Sequence, residues 1–349
     1  MSSSAVRIDP TSQSYLQAIE QWHVQRNNFM KRDWLTLAGL VWIPEKNTKY
    51  TIGSDASKND IEFPGTSTPA QLGALERLDN DRVRFTVTKE SLDHFGDDIK
   101  VNDEPILAQT AKITTSDNGN VSIDLVPDSD VDSTNQTERE SIVSYGSVTW
   151  YAIKRAGDRV GIRVKDSQNP PINQFQGIKY YPTKPEYVVD AQWQNLPKTQ
   201  EEGEEGSRLV PKKLKIANLL GDIRETFASG YLRFKLPNDE TSTEYKLYVE
   251  GSPDKELFVL FRDGTSGKST YGSGRFIRIN KPDPETGKVQ IDFNKAFNPP
   301  CAFTPFATCP LPPMDNWLHL QAKANAASGS EKSGGSVEAG ETVESQHHL

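Results

Sequence analysis

Apolar side chains recur on every second residue through most of this chain. Val83, Phe85 and Val87 alternate with Arg82, Arg84 and Thr86, and the same rhythm runs through Val121-Ile123-Leu125 and Val160-Ile162-Val164. It returns in Leu232-Phe234-Leu236 and in Val289-Ile291-Phe293. Successive side chains of a strand point to opposite faces, so this rhythm buries one face and wets the other. Turn-forming pairs such as Asn118-Gly119, Asp263-Gly264 and Thr286-Gly287 stand between the runs,. Many short strands at close spacing exclude a parallel sheet with crossover helices and predict a mainly β fold. Only the beginning departs from this pattern. Tyr15, Ala18, Ile19, Trp22, Arg26 and Phe29 fall at helical spacing after Asp9-Pro10-Thr11-Ser12, which predicts a capped helix over Thr11 to Phe29, packed on a sheet,.

The 349 residues carry 40 Lys+Arg against 48 Asp+Glu, a net charge of −8. That length suggests about two domains, and the acidic balance argues against a nucleic-acid partner. The longest apolar run, Leu35 to Ile43, is too short to span a membrane, and Met1 to Pro10 has neither the basic start nor the apolar stretch of a secretory signal,. A cytoplasmic protein with no membrane partner is expected. Two cysteines cannot make a disulfide scaffold,. Three polar segments, 127–140, 197–207 and 324–349, are expected to be solvated. The Asp166-Ser167-Gln168-Asn169-Pro170-Pro171 run suggests a domain boundary,. The expected division is a helical segment over 1–31, a first β domain over 32–170, a second over 171–323 and a low-complexity tail over 324–349.

Several motifs together carry a resemblance. They include Trp34 to Trp42, Ile52-Gly53-Ser54-Asp55, Gly157 to Asp166, Gly177 to Pro185, and Thr265 through Phe276. Most specific is Asn298-Pro299-Pro300-Cys301-Ala302-Phe303-Thr304-Pro305-Phe306-Ala307-Thr308-Cys309-Pro310, and Ala339-Gly340-Glu341 matches the family's usual end. The chain resembles, over roughly Asn28 to Leu320, the domain-of-unknown-function family numbered 1684. That family is uncharacterised, so the resemblance implies no reaction. The order Gly53-Ser54-Asp55, Asn59-Asp60-Ile61-Glu62-Phe63 and Val101-Asn102-Asp103-Glu104-Pro105-Ile106 also resembles forkhead-associated (FHA) domains, which implies a β-sandwich for the first half. The phosphate-binding arginine of that family falls on Ser54 here, so no phosphopeptide site is implied,. The expected architecture is thus an N-terminal helix, an FHA-like β-sandwich and a second β-barrel or β-sandwich domain.

Residues able to carry chemistry concentrate between Phe261 and Pro313. The Asp263-Gly264-Thr265-Ser266-Gly267 loop offers a carboxylate, hydroxyls and backbone amides,. Tyr271 and Arg275 follow, and Arg275 could pair with Asp263 or Asp292 or clamp a substrate carboxylate. Asp292, Asn294, Asn298 and Thr304 complete the polar set. Cys301 and Cys309 admit three readings: a weak metal site, a nucleophile with His94 or His319 as base, or two buried thiols open to adventitious pairing. Six prolines in the sixteen positions from Asn298 to Pro313 forbid a helix or a central strand there and predict a stiff wall beside the Thr265 to Arg275 loop,.

No GxSxG elbow, HExxH, CxxC or P-loop is present, and no cofactor or metal is expected,. These features suggest a small-molecule binder with Asp263, Thr265, Ser266, Tyr271, Arg275, Asp292, Asn294, Asn298, Cys301, Thr304 and Cys309 at its site. The alternatives are a hydrolase-type enzyme at the same place and a protein-interaction module in the first half. Convergence of Asp263, Arg275, Asp292 and Cys301 in an open cleft would favour the enzyme; scattered or fully bonded side chains would favour binding or scaffolding.

Overall fold

The first helix, α1 (Gln13–Phe29), starts where Ser12 Oγ accepts the Tyr15 amide at 3.2 Å and Asp9 collects the amide and hydroxyl of Thr11,. The computed structural model describes residues 7–64, 68–128, 139–156, 158–197, 210–237, 239, 243–325 and 336–342. The centres of the polar segments expected at 127–140 and 197–207, and most of the tail, lie outside the described residues. Within them the protein is mainly β, as the alternation predicts. No helix among them is long and apolar enough to cross a membrane.

The chain divides into two compact units, residues 30–175 and residues 1–29 with 176–349. In the first unit the strands are β1 (Leu37–Trp42), β2 (Lys49–Gly53), β3 (Ile61–Glu62), β4 (Gly73–Arg77), β5 (Val83–Val87) and β6 (Lys100–Val101). They continue as β7 (Glu104–Pro105), β8 (Ile113–Thr115), β9 (Val121–Leu125), β10 (Ile142–Tyr145), β11 (Val148–Arg155) and β12 (Arg159–Asp166). They form two six-stranded sheets, ordered β1-β12-β11-β10-β6-β7 and β3-β2-β4-β5-β9-β8. One core serves both, centred on the fully buried Trp150 with Phe63 and Phe85 edge-on to its ring,. A short helix, α2 (Lys89–Phe95), is capped by Thr88 and had no clear signal in the sequence.

The second unit contains β13 (Val188–Asn195), β14 (Lys213–Ala217), β15 (Ile223–Phe227), β16 (Gly230–Lys235), β17 (Glu244–Val249), β18 (Leu257–Phe261), β19 (Arg275–Ile279) and β20 (Lys288–Asp292). An antiparallel sheet runs β17-β16-β13-β20, and β14-β15 and β18-β19 are separate hairpins. No sheet among the described residues closes into a barrel. Leu232, Phe234, Leu247, Ile291 and Phe293 fill the core, while Arg233 and Lys235 face solvent.

Two features depart from the expected division. Helix α1 does not stand apart: it belongs to the unit that holds β13 to β20. The tail also contributes to that unit, with Val337, Ala339 and Glu341 wholly buried. Burial is possible because Val337 and Ala339 are apolar and because the Glu341 carboxylate meets a cation.

Candidate functional site

Asp263 and Arg275 lie at matching ends of the β18-β19 hairpin, and the structure brings them together. Arg275 Nη2 donates to Asp263 Oδ2 at 2.9 Å, with both side chains almost completely buried. The same guanidinium donates to the Val337 carbonyl at 2.8 Å and to that of Ala339, while the Val337 amide donates to Asp263 at 2.9 Å. Thr265 and Ser266 turn back onto the same carboxylate, through the Thr265 hydroxyl at 2.7 Å and the Ser266 hydroxyl at 3.2 Å. This is a latch holding residues 336–341. It leaves no open anion clamp.

Asp292 and Asn294 form a second cluster. The Tyr15 hydroxyl donates to Asp292 at 2.9 Å and accepts from Asn294 Nδ2 at 3.0 Å, tying α1 to the end of β20. Asn294 also exchanges bonds with the Lys184 backbone in both directions. Burial pushes the Asp292 carboxyl above its usual range, and burial beside that carboxylate raises the Tyr15 phenol,.

Asn298 belongs to a third. Its amide donates to Glu341 Oε2 at 2.8 Å, and Arg26 donates to Glu341 Oε1 at 2.9 Å while stacking 4.6 Å from the Phe297 ring centre,. The chain at Gly340 approaches Ala296 with positive φ (+79°), where a Cβ would lie 2.3 Å from the Ala296 oxygen,. Tyr180, stacked on His23, pairs with Glu341 as an isolated bridge. Burial raises the Glu341 carboxyl and outweighs the pull of Arg26 and Arg275.

Cys301 and Cys309 make the fourth. The Cys301 amide donates to Cys309 Sγ at 3.3 Å, and the Tyr271 hydroxyl donates to the Cys301 carbonyl at 3.2 Å. Thr304 serves its own turn, its hydroxyl accepting the Phe306 amide. The proline-rich segment does run beside the Tyr271 to Arg275 loop: a Cβ on Gly274 (φ +97°) would lie 2.7 Å from Pro312. Gly272 instead faces Gly267.

The eleven residues therefore separate into four clusters, and three of them are largely enclosed. Tyr15, Arg26 and Glu341 complete these clusters and were not among the candidates. The one hint was Arg26, a charge on the otherwise apolar stripe of α1. Asn316 was also missed. It bonds Tyr248 through both its amide and carbonyl groups and reaches the Leu260 carbonyl, joining β17 to β18. Among the described residues, no three His, Cys, Asp or Glu gather as a metal site.

An open cavity of about 870 Å³ lies elsewhere in this unit, over the solvent face of β16, β13 and β20 and beside the Asn280 to Pro284 loop. Register places Gln192 opposite Arg233 on one side and Lys288 on the other, so two cations flank an amide. Arg7 and Ile8 cross the floor, donating to Asp190 at 3.0 Å and Gln290 at 2.7 Å. Its carboxylates are already engaged: Asp190 by Arg7, Glu256 by Arg278 at 2.8 Å, and Asp283 by the Thr286 amide and hydroxyl. Lys281 and Lys288 are exposed, and neither forms an ion pair among the described residues.

Residues 173–326 match the family described as "Protein of unknown function (DUF1684)". The match begins after the first unit's strands, so the motifs at Trp34 to Trp42 and Ile52 to Asp55 fall outside it. No curated protein matches the chain. Among solved structures, the chain is similar to the NMR structure of an uncharacterized protein from Haloarcula marismortui, at 26% identity and a TM-score of 0.33. That similarity covers 49% of this chain and 78% of the other.

Proposed function

We propose that the second unit binds a small organic anion in the cavity over β16, β13 and β20. The carrying observation is the row Arg233-Gln192-Lys288 beside Lys281, in a cavity whose own carboxylates are engaged by protein groups. Its volume falls within the ~300–1,000 Å³ of small-molecule sites, and Ile8 and Pro282 supply apolar wall,. A carboxylate or phosphate would meet cations at its head and apolar surface along its body. Against a hydrolase at Asp263 and Arg275 stands their enclosure: both side chains are buried and bonded to residues 336–341.

The test is thermal stabilisation of the full chain by inorganic phosphate and by a set of dicarboxylates, alongside native mass spectrometry of protein purified from its host. A ligand at ~100 times its Kd adds about 2.7 kcal/mol. Stabilisation by at least one of these anions, lost in Lys281→Ala/Lys288→Ala, is the expected result. No stabilisation, or an equal shift in the double variant, overturns the assignment.

For the first unit, the reading is an FHA-like β-sandwich used as a scaffold, with the domain boundary near residue 170. Two six-stranded sheets on one core support it. Ser54 is bonded to the Thr68 and Pro69 carbonyls, which speaks against phosphopeptide binding.

A further inference from the structure

The cavity leaves the two cysteines unused. Both are thiols, Cys301 partly buried and Cys309 buried, and the backbone amide of Cys301 donates to the sulfur of Cys309 at 3.3 Å. They are held in place by a segment that has little freedom to part them. Pro299, Pro300, Pro305 and Pro310 restrict its backbone, and the Leu219 amide donates to the Cys309 carbonyl,. Ala307 and Cys309 pack with Leu260 and Phe276, anchoring the buried sulfur in an apolar cluster. The Tyr271 hydroxyl fixes the Cys301 carbonyl.

We propose that Cys301 and Cys309 form a thiol–disulfide switch oxidised by hydroperoxides, with Cys301 attacking and Cys309 resolving. The Cys301 sulfur attacks one oxygen of ROOH. The O–O bond breaks, ROH leaves with the thiol's proton, and Cys301 becomes a sulfenic acid. Cys309 sulfur then attacks the Cys301 sulfur, the S–O bond breaks, and hydroxide departs as water with the Cys309 proton. Overall two thiols and one hydroperoxide give a disulfide, an alcohol and a water, and an external dithiol restores the starting state. Two features assign the roles. Cys301 is the less buried residue of the two, and sulfenic acid formation needs access,. Its thiol is also pulled down, chiefly by the neighbouring Cys309, against the opposing effect of burial,. Tyr271 keeps its proton for the Cys301 carbonyl, its phenol pushed up to about 12 mainly by burial.

The experiment treats the reduced full chain with hydrogen peroxide and with cumene hydroperoxide, then measures intact mass, thiol titre and the peptide spanning both cysteines. The expected product has lost two hydrogens and both titratable thiols, and dithiothreitol reverses it. In Cys309→Ser, dimedone should trap a sulfenic acid at Cys301. In Cys301→Ser, the remaining thiol should react at least ~10-fold more slowly. Tyr271→Phe should slow the wild-type reaction while circular dichroism stays unchanged. Reaction first at Cys309, oxidation straight to sulfinic acid without a disulfide, or disulfide formation only in denaturant would each overturn the proposal. The second and third outcomes are read on the wild-type chain, so a variant that fails to fold cannot decide the result.

Discussion

Arg26, in the last turn of the first helix, donates through Nε to Glu341 at 2.9 Å, across 315 positions of sequence. The Glu341 side chain has no exposed surface and the Arg26 side chain very little. Such a pair contributes modest net stability, but removing one partner strands the other as a buried charge. Arg26→Ala should therefore destabilise the second unit by ~3–5 kcal/mol, read from urea unfolding. A loss no larger than that of a surface arginine would show that the carboxylate finds water instead.

Glu341 also makes stability depend on pH. Burial raises its pKa in the folded chain, so the folded state holds this proton more tightly than the unfolded chain does,. Its favourable contribution is complete below the ordinary glutamate range, about pH 4, and is lost as pH rises through the raised value. Glu341→Gln imitates the protonated form. Glu341→Gln does not titrate, so its stability relative to wild type should shift in the variant's favour as pH rises above about 4, whatever the loss of the Arg26 pair costs at every pH, measured as the difference in urea midpoints,. A difference that stays flat or moves the other way would contradict the burial argument.

Arg275→Ala removes the cation facing Asp263 and two backbone bonds to residues 337 and 339. The expected cost is ~3–5 kcal/mol, with proteolysis now reaching the Val337 to Glu341 segment. Arg233→Ala, on an exposed side chain 3.5 Å from Glu244, should change stability by less than ~1 kcal/mol while weakening binding of an anion in the cavity,.

Gly274→Ala places a Cβ 2.6 Å from the Phe261 oxygen and 2.7 Å from Pro312, at a φ that L-residues avoid. Neither neighbour is the end of a flexible side chain. The variant should lose at least ~1–3 kcal/mol in thermal or urea unfolding.

Asn316→Ala leaves the Tyr248 amide and two carbonyls without their partner, inside a site only 1% exposed. A loss of ~2–4 kcal/mol is expected, and Asn316→Asp should recover only the bond from the Tyr248 amide.

Alternation made most strands legible, because burying one face imposes a period of two whatever the partner strand is. It gives the face of Arg233, Gln192 and Lys288 but not their register, and the cavity exists only because register sets them in a row. Asp263 and Arg275 were readable as a pair because a hairpin brings its two ends together. Glu341 was not readable, since its cation lies at the other end of the chain. The helix α3 (Leu318–Asn325) was missed for a similar reason: it is short, and Gln321 holds it through bonds to the Lys246 backbone that no local pattern announces. The tail's polar composition concealed three buried residues at every second position, Val337, Ala339 and Glu341.

Helix α1 and the Val337 to Glu341 segment belong to one unit, yet the whole of the other unit lies between α1 and the rest of it. During synthesis this imposes an order. Residues 30–175 leave the ribosome with every strand they need and can fold at once, since domains made first generally fold first. The helix, although made earlier, must wait through nearly the entire chain for the carboxylate that Arg26 meets. Completion of the second unit thus reports that translation has reached Glu341, and a chain stopped short of that residue carries a finished first unit and an unlatched second one.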